Sequence, residues 1–87
     1  MPPSANKLFE KAKRTQNGWK RQEIDRLYDG FRFRIRHGRN HDIVSHPDNP
    51  NLRETLPRHR NIKPVYVRRA VRLINALLDQ QENDSNE

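Results

Sequence analysis

Phe31-Arg32-Phe33-Arg34-Ile35-Arg36 alternates apolar and cationic side chains without a break. A period of two is that of an extended strand with one face on a core and the other in water. On a helix the same six residues would spread around the whole surface and bury arginine beside phenylalanine. A strand of this kind needs partner strands to pair with and helices to cover its apolar face, so the rest of the chain is read for those elements. Its outer face is expected to carry Arg32, Arg34 and Arg36 and to stay open.

The neighbouring segments supply both. After the polar turn His37-Gly38-Arg39-Asn40, the stretch His41 to His46 reads as a second strand; Pro47 to Asn51 is dense in turn formers, and Leu52 to Leu56 reads as a third. Upstream, Ser4 and Asn6 are capping residues ahead of Leu8, Phe9 and Ala12, which predicts a helix over about 6–15. Asn17-Gly18 ends it, and Trp19, Ile24, Leu27 and Tyr28 mark one side of a second helix, Trp19 to Tyr28, stopped by Asp29-Gly30. Downstream, Pro64 suits the first turn of the longest helix, whose stripe is Val67, Ala70, Val71, Ile74, Leu77 and Leu78. The expected fold is α+β in the order ααβββα, with helices packed on one face of a three-stranded antiparallel sheet. Periodicity turns Trp19, Tyr28, Phe31 and Phe33 toward the core.

At 87 residues without an internal repeat, the chain suffices for one small domain, expected over residues 1–79; residues 80–87, QQENDSNE, have nothing to bury and are expected to form a disordered acidic tail. Eighteen Lys and Arg against eleven Asp and Glu give a formal charge of +7, densest through the middle of the chain. That is the electrostatic footprint of a protein that neutralises phosphates, so a nucleic-acid partner is expected ahead of a merely solvated surface. The absence of cysteine excludes disulfides, Cys-zinc sites and thiol nucleophiles and fits a reducing compartment. No segment has the length and apolarity of a membrane span, and Met1 to Phe9 contains no apolar signal core, so a cytoplasmic location is expected.

Four histidines are the candidates for chemistry. RNA is cut without metal when its 2′-hydroxyl loses a proton and attacks the adjacent phosphate, which calls for a group that accepts a proton near neutral pH. His41 stands where a tight polar loop meets a strand, with Arg39, Asn40 and Asp42 beside it to grip RNA or orient the ring; on these residues alone it reads either as that group or as an ordinary turn histidine. His59 lies between Arg58 and Arg60 just before the last helix, where side chains and free backbone N–H groups together suit phosphate. Lys63, Arg68 and Arg69 are candidates for the sugar-phosphate track and Tyr66 for stacking on a base, whereas His37 and His46 read as turn and strand-end residues. No pair of histidines has the close helical spacing of a zinc motif, so neither a metal nor another cofactor is expected.

Five short motifs stand in register: Gly30-Phe31, Gly38-Arg39-Asn40-His41, His46-Pro47, Pro57-Arg58-His59 and Lys63-Pro64. In order and approximate spacing they resemble the HicA family of RNA-cleaving toxins over about residues 20–78. The resemblance implies a fold like the double-stranded-RNA-binding domain, metal-independent endoribonuclease activity on mRNA, and a HicB-like antitoxin as partner. It places the catalytic histidine at His41. Arg39-Asn40 stands where the family usually has Gly-Ser, and Asp42 where a second His is common. Two other functions fit the charge: a non-catalytic double-stranded-RNA or nucleic-acid-binding module of the same fold, and a basic face that docks an acidic protein.

Overall fold

The computed structural model describes residues 4–85. It is an α+β fold of three helices and a three-stranded antiparallel sheet, with a separate two-stranded ribbon. Helix α1, Ala5–Arg14, starts where the Ser4 hydroxyl accepts the Lys7 N–H at 3.3 Å. It ends with Lys11, Lys13 and Arg14 in its last turn, the charge a helix C-terminus favours.

Trp19 does not begin a helix, contrary to its expected place. Gly18, at φ +76°, turns the backbone, and Trp19–Lys20 run extended as β1, pairing antiparallel with Asn61–Ile62, β5. Trp19 is buried all the same, and its indole N–H donates to the Thr15 carbonyl at 3.0 Å. Helix α2, Arg21–Gly30, follows directly, with Glu23 accepting the Lys20 N–H at 3.2 Å and the Lys11 ammonium at 2.6 Å. These bonds, the Lys11 contact foremost, hold the Glu23 carboxyl below its ordinary pKa.

The alternating hexapeptide is only partly a strand. Phe33 N–H reaches back to the Tyr28 carbonyl and Arg32 N–H to the Asp29 carbonyl, both near 3 Å, with Arg32 at φ +68°. This is a Schellman close of α2, complete with its apolar contact: the Tyr28 and Phe33 rings meet edge-on at 5.4 Å. Saturating the helix's last carbonyls takes precedence over strand pairing, so β2 begins only at Arg34 and runs Arg34–His37. Arg32 therefore lies on a turn and not on the sheet.

Strand β3, Asp42–His46, is central, between β2 and β4, Asn49–Leu56. Strand β4 begins earlier than expected because only Pro47 and Asp48 make the turn, His46 pairing with Asn49. Pro50 is tolerated because β4 is an edge strand in this sheet and need not donate on its outer side. Facing the helices, Phe33, Val44, Leu52 and Leu56 join Leu8, Phe9, Ile24, Leu27, Tyr28, Ile62 and Val67 in one core. Burial pushes the Tyr28 hydroxyl pKa well up. The opposite sheet face exposes Arg34, Arg36, Arg53 and Thr55, as an open arginine-rich face requires.

Helix α3, Pro64–Ser85, buries Val67, Ala70, Leu73, Ile74 and Leu77 and leaves Leu78 exposed. It does not stop at Asp79. The segment expected to be a disordered tail continues the helix to Ser85, since glutamine and glutamate are good helix formers. The Gln80 side-chain oxygen accepts from Asn49 Nδ2 at 2.6 Å. Asn86 and Glu87 lie outside the described residues. No helix among the described residues is long and apolar enough to cross a membrane.

Candidate functional site

The site is built around a buried carboxylate. Strands β2 and β3 are joined by residues 38–41, closed by the Gly38 N–H on the His41 carbonyl at 3.0 Å. A Cβ on Gly38 would lie 2.5 Å from that carbonyl oxygen, so this tight close requires glycine. Period two then turns His41 to solvent and Asp42 inward.

Asp42 is 1% exposed and accepts three hydrogen bonds: Arg21 Nη2 at 2.6 Å, Arg58 Nε at 2.8 Å and His37 Nδ1 at 2.9 Å. Burial alone would raise its pKa, but the Arg58, His37 and Arg21 bonds outweigh it and hold the carboxyl well below the ordinary carboxylate range. With Asp42 ionised, His37 Nδ1 carries the proton that it shares.

Arg21 extends the network. Its Nη1 donates to the Pro57 carbonyl at 3.0 Å, its Nε to Asp25 at 2.7 Å, and its backbone N–H to the Arg60 carbonyl at 2.9 Å. Desolvation works against its charge, but Asp25 and Asp42 prevail and its pKa is raised. Arg58 also donates through Nη2 to the Gly38 carbonyl. One set of charge-assisted bonds thus fixes the start of α2, the β2–β3 turn and the connection from Pro57 to Arg60. Asp42 spends its bonds on Arg21, Arg58 and His37 and not on His41, whose carbonyl is held by the Gly38 N–H.

Beside this network lies a cleft of about 120 Å³, lined by His41 from the β2–β3 turn, Pro57 and His59 from the connection after β4, Asn61 of β5, and Lys63 and Tyr66 around the start of α3. Four of the residues singled out from the sequence, His41, His59, Lys63 and Tyr66, are therefore brought together. Arg69 lies with its guanidinium 5.4 Å from the centre of the half-buried Tyr66 ring, next to the cleft. The remaining candidates lie elsewhere. Arg58 is engaged with Asp42 and Gly38. Arg60 borders a hollow with Lys20, Arg21 and Gln22, exposed Arg68 borders another with Ala12, Lys13 and Gln16, and Arg39 and Asn40 are exposed in the β2–β3 turn.

His46 is structural: its Nδ1 accepts the Asp48 N–H at 3.2 Å, its Nε2 faces the Phe31 carbonyl at 3.2 Å, and Phe33 packs edge-on against it at 4.9 Å. Sequence reasoning missed Asn61 and the Arg21–Asp42 anchor. An aspartate at the first inward position of a strand is the one signal for the anchor, because a carboxylate there must find cations. No family model, curated protein or solved structure matches this chain.

Proposed function

We propose that this chain is a metal-independent endoribonuclease of the HicA type, a toxin that cleaves mRNA in the cytoplasm and is held in check by a HicB-like antitoxin. The observation that supports it is the cleft: an exposed imidazole, His41, shares it with Lys63, Tyr66 and a second imidazole, on a protein of charge +7. In this reading His41 takes the proton of the 2′-hydroxyl, Lys63 faces the phosphate whose negative charge grows during attack, and Tyr66 stacks on an unpaired base. Arg69, Arg39 and Arg60 extend the cationic surface along the flanking backbone, and Asn40 adds a neutral amide for hydrogen bonding to it, the sequence-independent part of the affinity. The helices packed on one face of an antiparallel sheet agree with a fold of the double-stranded-RNA-binding kind.

The test is cleavage of a long single-stranded mRNA by the purified protein in excess EDTA, beside His41→Ala with unchanged thermal melting. Cutting by the wild type and a loss of about 10²–10⁴-fold in the variant are expected, the usual worth of a positioned proton-transfer group. RNA that is bound but left intact by both proteins would replace the nuclease with a binding module.

A further inference from the structure

We infer that His59 is a second proton-transfer group of the cleft, paired with His41 and working on the leaving oxygen. This inference rests on the nuclease reading above and goes one step beyond it.

Both imidazoles are exposed and line one cleft, yet they come from different segments: His41 from the β2–β3 turn, His59 from the connection between β4 and β5. Each segment is fixed by the same network. Asp42 follows His41 directly, and Arg58, which precedes His59, donates to Asp42 at 2.8 Å. On the far side of His59, the Arg60 carbonyl accepts the Arg21 N–H at 2.9 Å. Two histidines held at separate points around one space is more than a single proton acceptor needs.

The chemistry has a use for the second. Attacking and leaving oxygens lie roughly in line on opposite sides of phosphorus, so one imidazole is poorly placed to serve both. Neutral His41 takes the 2′-hydroxyl proton as the O2′–P bond forms. The P–O5′ bond breaks, and O5′ receives a proton from protonated His59. The products are a 2′,3′-cyclic phosphate and a 5′-hydroxyl end; exchange with water returns His41 to its neutral form and His59 to its protonated form. Lys63, in the same cleft, is left to face the non-bridging oxygens.

The experiment compares wild type, His41→Ala and His59→Ala on two forms of one RNA oligonucleotide carrying the bond cut in the EDTA assay. One form has the natural 5′ oxygen at that bond and the other a bridging sulfur, whose thiolate leaves without protonation. His59→Ala is expected to lose about 10²–10⁴-fold in kcat on the oxygen substrate and to regain most of it on the sulfur substrate. His41→Ala is expected to remain slow on both. The bell-shaped pH profile of the wild type should lose its alkaline fall in His59→Ala, because that limb reports deprotonation of the acid. Rescue of His41→Ala in place of His59→Ala would overturn the assignment of His59 to the leaving oxygen. Three further outcomes overturn the inference while leaving the nuclease intact: His59→Ala cutting as fast as wild type, losing both substrates equally, or raising KM at constant kcat as a plain phosphate contact would. Wild type that cuts neither substrate removes the nuclease reading and the pair with it.

Discussion

Replacing Asp42 with asparagine keeps its shape and removes the charge on which three donors converge. The Arg21 bond is the buried one, its side chains 16% and 2% exposed, and a hydrogen bond to a charged group in such a setting contributes about 1.5–3 kcal/mol. Arg58 and His37 are 43% and 82% exposed, so water takes over much of what they lose, and each adds about 0–1 kcal/mol. Asp42→Asn should therefore lower stability at pH 7 by about 3 kcal/mol, the lower end of what breaking a buried pair costs. At about 4–8 °C per kcal/mol for a domain this small, Tm should fall by about 12–24 °C. The acid dependence has a definite sign. The carboxyl pKa is depressed by folding, so its contribution is complete above the ordinary carboxylate value near 4 and fades as pH falls below it. Urea denaturation of both proteins at pH 7 and at pH 3 measures this: the gap between them should be wide at pH 7 and narrower at pH 3. A gap below about 1 kcal/mol at pH 7, or one that stays constant down to pH 3, would refute the claim that these bonds to an ionised Asp42 hold the site together.

Gly38→Ala should displace the His41 carbonyl that a Cβ would meet at 2.5 Å; cleavage should fall while overall stability drops by about 1–3 kcal/mol, read by activity beside thermal melting. Arg32 occupies the left-handed position of the Schellman close, where glycine carries no side-chain penalty. Arg32→Gly should accordingly stabilise the fold by up to about 1 kcal/mol in denaturant titration, against the greater freedom of glycine in the unfolded chain. Gly30→Ala should do the opposite, since its Cβ would fall 2.0 Å from that of Ala5; Tm should drop by several degrees. Lys63→Ala should weaken RNA binding about equally across sequences and reduce the slope of log K against log salt by about 0.7, one contact's worth on a single strand.

The helices, the three-strand meander and the aromatic core were legible because each depends on a period or a punctuating residue within a few positions. Ser4, Asp29-Gly30 and Pro64 stand at or beside the helix ends they were expected to mark. What escaped was decided by partners distant in sequence or by backbone shape. Trp19 extends because Ile62 comes alongside it, and nothing near Trp19 announces that. A left-handed arginine cannot be read from an alternation that otherwise looks perfect. At the candidate site, charge and histidine singled out four residues that share one cleft, yet Arg58, Arg60 and Arg68 looked interchangeable with Lys63 in sequence. Folding separates them, one onto Asp42, one to a hollow with Lys20 and one to a hollow with Ala12 and Lys13, while Lys63 alone of the four lines the cleft.

The small β1–β5 ribbon bears on when the cleft comes into being. Trp19 emerges early from a ribosome, but the strand it pairs with includes Ile62, and the α3 residues that complete the core come later still. Until that stretch has left the exit tunnel, β1 has no partner and Tyr66 is not yet in position. A nascent chain that has released His41 therefore lacks its cleft until Tyr66 has also emerged, and on the nuclease reading proposed above the cutting site forms only then.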